Sequence, residues 1–240
     1  MRIVLISLPD STERREEATR QFNAAGLEFE FFDGIDGRKP GPPLFESVDL
    51  DAYAIQTGRA PRPGEIGCMA SHRAVWQYCV DLNEPLIILE DDSFLEAGFP
   101  DAVKLVERWI GQYGFIRLQD LRDEPYKVVE QENDFRLVYC YKFPHGAVGY
   151  ALNPDVARAF VAQTETLTAP SDKFIKNFWQ HGQPLYCLLP GTIRPGELND
   201  ISTIGGRDKV TVPPLLKLRR AFAKLIWGIK RRSFHSRNAP

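Results

Sequence analysis

Short apolar runs punctuate this chain, and most are followed by stretches with helical spacing. Arg2-Ile3-Val4-Leu5-Ile6-Ser7-Leu8 reads as a first, central strand. Pro9-Asp10-Ser11 turns the chain into a helix over 12–25, with Asp10 or Ser11 as its cap, favourable acids at Glu13, Glu16 and Glu17, and Gly26 at its end. Leu27–Phe32 is a second strand, which makes a βαβ unit with a parallel pair. Asp33-Gly34-Ile35-Asp36-Gly37 is a turn-rich loop, and the proline-rich residues 38–63 read as an irregular excursion over the sheet and over a site. A largely buried helix runs from Gly64 to about Leu82, carrying Glu65 and His72.

The next run, Pro85-Leu86-Ile87-Ile88-Leu89-Glu90-Asp91-Asp92, is a strand buried on both faces that ends in three consecutive carboxylates. A helix over 100–111, a strand over 114–118, a charged loop over 121–134 and strand character over 135–141 follow. Residues 145–152 form another strand, a helix capped by Asn153 runs to about 164, a further helix follows Ala169-Pro170-Ser171-Asp172, and Pro184–Leu189 is a last strand. Residues 191–209 are Gly-rich and polar. The pattern predicts an α/β domain over 1–212, with a mostly parallel central sheet flanked by helices, and a basic amphipathic tail over 213–240.

At about 100° per residue, the tail places Leu215, Leu218, Phe222, Leu225, Ile226 and Ile229 on one arc. Lys217, Arg220, Lys224 and Arg231 lie opposite, and Trp227 sits toward the boundary. Charge sharpens this picture. The net charge of −2 conceals eight Lys/Arg and no acid after Pro213, leaving 22 basic against 32 acidic groups before it, a balance of −10. Such a helix either lies on an anionic membrane surface or docks on the core with its basic face in water. The acidic body argues against nucleic acid as the partner.

Cys68, Cys79, Cys140 and Cys187 show no CxxC and no paired spacing with histidines, so buried free thiols are expected rather than a zinc site. The start of the chain lacks signal-peptide features, and no stretch approaches the roughly 20 apolar residues of a membrane span. The expectation is a cytoplasmic protein.

Ligands in open α/β sheets bind beyond the carboxyl ends of the strands. Three adjacent carboxylates there repel one another unless a cation or hydrogen-bond donors compensate them. They form either a divalent-metal site for a phosphorylated ligand or an acidic turn. His72 is either a satisfied core histidine or part of that site.

Several ordered pieces together resemble glycosyltransferase family 25, the bacterial lipooligosaccharide sugar transferases related to collagen galactosyltransferases. They are Ile6-Ser7-Leu8 with Arg14-Arg15, Phe32-Asp33-Gly34, Glu65-Ile66-Gly67-Cys68 with Ser71-His72, Leu89-Glu90-Asp91-Asp92, Gly149-Tyr150 with Asn153 and Ala157, Pro170 with Asp172, and Ser202 with Ile204. Ser7 departs from the Asn many members carry, and Ala169-Pro170-Ser171-Asp172 departs from the commoner Pro-Val-Asp. The resemblance implies a GT-A-like fold and metal-assisted, inverting transfer of a hexose, often galactose, from a UDP-sugar to a lipid-linked oligosaccharide. It implies Mn²⁺ or Mg²⁺ on Asp91 and Asp92. Alternation along an extended strand turns Glu90 back into the fold, where it would orient the pair. Donor-binding residues on this reading are Ser7, Arg14, Arg15, Asp33, Glu65, His72 and Asp91. Inversion requires a base for the acceptor hydroxyl. Asp172 is the first candidate, with helix N-capping as its alternative role, and Asp120 and Glu197 follow. The tail would then hold the enzyme peripherally at the inner face of the cytoplasmic membrane. The rival readings are a metal-dependent phosphohydrolase acting on a nucleotide-sugar and a non-catalytic nucleotide-sugar-binding module.

Overall fold

The computed structural model describes residues 1–39, 47–121, 123–196 and 212–240. Along the chain the elements run β1 (Arg2–Ser7), α1 (Thr12–Ala25), β2 (Glu30–Asp33), α2 (Leu50–Thr57), α3 (Pro63–Leu82), β3 (Leu86–Glu90), β4 (Ser93–Leu95), α4 (Phe99–Tyr113) and β5 (Phe115–Arg117). They continue as β6 (Tyr126–Glu132), β7 (Phe135–Cys140), β8 (Gly149–Leu152), α5 (Pro154–Ala162), α6 (Ser171–Lys176), α7 (Phe178–His181), β9 (Tyr186–Leu189), β10 (Ile193–Pro195) and α8 (Pro214–Asn238).

Eight strands form one sheet in the order β2-β1-β3-β8-β5-β9-β7-β6, and β4 and β10 pair in a separate antiparallel ribbon. Alternation along each central strand feeds two cores. Val4 and Ile6 of β1, with Leu86 and Ile88 of β3, pack against Met69, Val75 and Trp76 of α3 and Phe160 of α5. Ile3, Leu5, Ile87 and Leu89 face the other way, onto Phe22 of α1 and Phe99 and Val106 of α4. Leu86 through Leu89 have no solvent exposure. At about 1.5–3 kcal/mol per fully buried aliphatic side chain, this run fixes β3 as the middle of the domain.

The βαβ start is present, with β1 parallel to both β2 and β3. Four expectations need correcting. The sheet is mixed rather than mostly parallel, because β8 inserts antiparallel between β3 and β5, and β7 runs antiparallel to both β6 and β9. The supposed irregular excursion contains α2, whose first turn is capped by the Asp49 carboxylate accepting from the Ala52 N–H (2.9 Å). The supposed loop over 121–134 contains β6, a charged and mostly exposed edge strand whose pattern gives no apolar alternation. The supposed strand over 145–152 begins only at Gly149, because the preceding residues form a turn around Gly146, at φ 96°.

All four cysteines are free thiols, and burial pushes those of Cys79 and Cys187 up to about 12. No helix among the described residues is long and apolar enough to cross a membrane.

His181, at the end of α7, packs against the rings of Phe160 (4.6 Å) and Phe174 (5.3 Å). Its Nε2–H donates to the Ile175 carbonyl (2.8 Å), and its Nδ1 accepts the Gln183 N–H (3.3 Å). Both nitrogens are committed in the neutral ring, and burial lowers its pKa to about 4. As pH falls, the unfolded chain therefore takes up this proton first. The stability His181 contributes is complete above its unfolded pKa of about 6.5 and is lost progressively down to about 4. Between about pH 7.5 and about pH 5 the wild type should lose roughly 2 kcal/mol more than His181→Gln in urea unfolding. Equal losses would show that this ring does not govern the acid limb.

Candidate active site

The carboxyl ends of β1 and β3 lie side by side, with Ile6 opposite Glu90 and the ladder extended by Asp91 N–H to Ile6 O (3.1 Å). This register brings Ser7 to Asp91. The Ser7 hydroxyl donates to Asp91 Oδ2 (2.8 Å), and Arg14, from the first turns of α1, donates through Nη1 to Oδ1 (2.8 Å). Both Asp91 oxygens are thereby engaged. Arg15 stands behind Ser7, donating to its carbonyl (3.0 Å) and to the exposed Asp33 (2.5 Å).

Glu90 is compensated differently. His72 on α3 meets Glu90 Oε1 through Nε2 (2.9 Å) and the Tyr150 hydroxyl through Nδ1 (2.7 Å). Trp76 Nε1–H donates to that same hydroxyl (2.9 Å). Trp76 has only a proton to give, so one neutral arrangement satisfies every atom. The Tyr150 O–H donates to Nδ1, and Nε2–H donates to Glu90. His72 is thus a buried histidine with both nitrogens satisfied that also holds a cleft carboxylate. Glu90 is not turned away from the cleft, as the strand alternation had implied. It lines both halves of it.

Among the described residues, Asp92 has no such partners. Its Oδ1 is buried and accepts no hydrogen bond. Burial, then the Glu90 charge, with Asp91 adding and Arg14 opposing, raises its carboxyl to about 7. An open, electron-rich oxygen among like charges is what a bound cation would satisfy, so Asp92 fits a divalent ion. Ligand atoms of Cys68, His72 and Glu90 also lie within 4.8 Å of one another. That trio fits less well, because both His72 nitrogens are committed and burial holds the Cys68 thiol well above its ordinary pKa.

The first half of the cleft lies between the β1 and β3 ends, the loop over 34–37 and the start of α3. Two glycines allow that loop to lie on the helix. A Cβ on Gly67 would stand 2.5 Å from both Gly37 N and Ile35 O. Ser71 pins the same loop by accepting the Ile35 N–H (2.8 Å). Asp36 and Arg38 pair at 2.7 and 2.9 Å, and hydrogen bonds from Arg38 lower the Asp36 carboxyl to about 2.

The second half shares Cys68 and Glu90 with the first and continues to Asp172 on α6. Asp172 does not cap its helix. Its Oδ2 accepts from His145 Nδ1 (3.0 Å) and, at 3.4 Å, the Gly146 N–H. Lys176 Nζ donates to His145 Nε2 (2.9 Å), which leaves the Nδ1 proton for Asp172. Burial alone would raise the Asp172 carboxyl, but the His145 hydrogen bond, the Gly146 N–H and the Lys173 charge outweigh it and hold it below its ordinary value. Arg117 braces this turn from below, donating to the carbonyls of Gly146 and His145.

Among the sequence candidates, Ser7, Arg14, His72, Asp91 and Asp92 line the first half of the cleft, and Glu65 and Asp172 line the second. The Glu65 carboxylate is taken by Arg59 (2.5 and 2.7 Å) and by the Arg62 N–H (3.0 Å) that starts α3. Arg15 and Asp33 are not among the lining residues. Asp120 belongs elsewhere: its carboxylate accepts the Gly191 N–H (2.5 Å), in a separate hollow that includes Glu96 and Arg194. Glu197, like Ser202 and Ile204, lies outside the described residues, although the Gly196 N–H donates to the Asp92 carbonyl (2.6 Å). Sequence reasoning did not place Arg38, Tyr150, His145 and Lys176 beside the site, although Tyr150 stands in one of the pieces that carry the family resemblance. The pair Asp36-Arg38 beside a Gly-rich turn was a signal for the first, while the others are joined only by folding.

Residues 1–175 match the family described as Glycosyltransferase family 25 (LPS biosynthesis protein). A "Glycosyltransferase 25 family member" of Aedes aegypti is 31% identical over 188 residues, covering 72% of this chain and 30% of that protein. The "Lipooligosaccharide biosynthesis protein lic2B" of Haemophilus influenzae is 24% identical over 214 residues, covering 81% of this chain and 76% of that protein. The chain thus spans less than a third of the insect relative. Among solved structures, a glycosyltransferase involved in the glycosylation of the major capsid of PBCV-1 aligns over 67% of this chain and 64% of its own, at 7% identity and a TM-score of 0.35.

The loop–helix contact gives a direct test. Gly67→Ala should destabilise by roughly 1–3 kcal/mol, since backbone on the opposing loop must move. Gly111→Ala on α4, where a Cβ meets nothing within 4 Å, should instead stabilise by roughly 0.5–1 kcal/mol. Urea midpoints of the same sign for both would refute the close-packing argument.

Proposed function

This chain belongs to glycosyltransferase family 25, and from that premise we propose that it moves a hexose, with galactose favoured, from a UDP-sugar to a lipooligosaccharide or related glycan acceptor. Transfer inverts the anomeric carbon and is assisted by Mn²⁺ or Mg²⁺. The observation that carries this reading is the two-part cleft. Acid cluster and Arg14 lie in one half, the Asp172–His145 pair lies in the other, and Glu90 and Cys68 are common to both.

In this reading the first half holds the nucleotide diphosphate. Arg14, fixed by Asp91, and Arg38 face its negative charge, which grows as the sugar–phosphate bond breaks. Asp92, through its open Oδ1, would hold the divalent ion, which offsets charge on the departing diphosphate. Asp91, with both oxygens engaged, orients Arg14. The second half takes the acceptor. Its hydroxyl oxygen bonds to the anomeric carbon, UDP leaves with the electron pair of the broken bond, and the hydroxyl proton passes to Asp172. His145 and the Gly146 N–H position the Asp172 carboxylate and keep it ionised until then.

The test is UDP release from UDP-galactose and related UDP-sugars, with and without acceptor and Mn²⁺. Asp172→Asn should lower kcat by about 100-fold or more while UDP-sugar affinity changes little. Asp92→Asn should lose the response to Mn²⁺. Full turnover by Asp172→Asn would remove it as the base. Acceptor-independent release would instead favour a phosphohydrolase, and metal-independent binding without turnover a binding module.

A further inference from the structure

The amphipathic tail is a helix, α8, but its apolar arc is not what attaches it to the body. The less exposed positions are Leu216, Arg220, Ala223, Trp227, Gly228, Arg231, Phe234 and His235, which run down one side of the helix. Phe234 is buried against the Phe178 ring (5.0 Å), and His235 donates to the Tyr141 carbonyl (2.8 Å) while Tyr139 closes on its other nitrogen (2.7 Å). Arg219 forks onto Asp51 of α2 (2.6 and 2.7 Å). Clamped along this line, α8 turns Leu215, Leu218, Phe222, Leu225 and Ile229 outward, each 65–69% exposed. With Ile226, they make six of the nine exposed large apolar residues among the described ones.

We propose that α8 seats this protein flat on an anionic lipid bilayer, with that arc in the lipid interface. Five large apolar side chains in a row are unfavourable in water and demand a cover. At about 100° per residue, Lys230 borders one edge of the arc and Arg232 the other, both exposed, and the helix carries no acid. A second copy packed arc to arc would set these bordering cations against their own counterparts. An anionic membrane supplies both an apolar layer and the opposite charge. The acidic body, at −10, is repelled by the same surface, which leaves α8 as the contact.

Placement adds a consequence. Arg220 covers Gly58, which lies between Thr57 and Arg59, and both of these line the Asp172 half of the cleft. On the reading given above, α8 therefore holds the wall of the acceptor half close to the bilayer that carries a lipid-linked glycan. The docking itself does not depend on the transferase reading.

The experiment is co-sedimentation of the full chain, without donor or acceptor, with vesicles of phosphatidylglycerol and phosphatidylcholine or of phosphatidylcholine alone. Wild type should bind the anionic vesicles and largely ignore the zwitterionic ones. The double variant Leu218→Asp, Leu225→Asp should lower binding about tenfold or more, with an unchanged unfolding midpoint and unchanged UDP release with a soluble acceptor. Equal sedimentation of variant and wild type, or no binding by wild type, would overturn the proposal. So would a wild-type dimer in sedimentation velocity that the same variant dissolves, which would assign the arc to self-association. Because vesicle binding is read without turnover, its failure is separable from a failure of the proposed activity.

Discussion

Total burial of β3 is the constraint on which the site depends. Four consecutive side chains without solvent exposure hold the strand between helical layers, and the chain leaves that strand directly into three carboxylates. Like charges entering a partly buried position cannot be left alone. The surrounding structure meets that demand in three different ways. Glu90 is held by a hydrogen-bond chain that reaches back through His72 and Tyr150 to Trp76. Asp91 is taken by Ser7 and Arg14. Asp92 keeps an open oxygen and a raised pKa. That inequality, more than the presence of three acids, gives the cluster its chemical direction.

The cleft exists because two halves of the domain present different chemistry to the same carboxylate. On the β1 side, Gly37 and Gly67 allow backbone to touch backbone, so the loop over 34–37 closes the first half. On the β8 side, a turn at Gly146 (φ 96°) carries His145 to α6, and buried Arg117 supports that turn from inside the sheet. The change of strand direction from β1–β3 to β8 is what sets these two walls opposite each other. Membership of glycosyltransferase family 25 gives this architecture its functional context.

The terminal helix shows how attachment and amphipathicity can be decoupled. A wheel drawn on residues 215–231 divides apolar from basic, and either reading of it assumes the basic face is the solvated one. Instead, Arg220 and Arg231 lie on the side turned to the body, and the strongest apolar stripe remains in solvent. Aromatic packing of Phe234 and the two hydrogen bonds of His235 decide the rotation, and both residues sit beyond the stretch that set the wheel.

The sequence by itself determined what local physics controls. The first strand and its helix, the buried helix over 63–82, the strand into the acid cluster and the long terminal helix were all legible from apolar spacing and glycines, although the Ser11 side chain makes no capping hydrogen bond to the first helix. So were Arg14, His72, Asp91, Asp92 and Asp172 as residues worth following. The edge strand β6 and the helix α2 were not, because an exposed charged strand and a short capped helix carry little hydrophobic signal. Only the tertiary structure decided which partner each charge acquired. His145 meets Asp172 across 27 residues of chain, Ser7 meets Asp91 across 84, and Asp120 is drawn off to Gly191. Those pairings arise from sheet register and from the antiparallel entry of β8. Strand order is fixed by the packing of the whole core, not by any stretch of sequence that could be read alone.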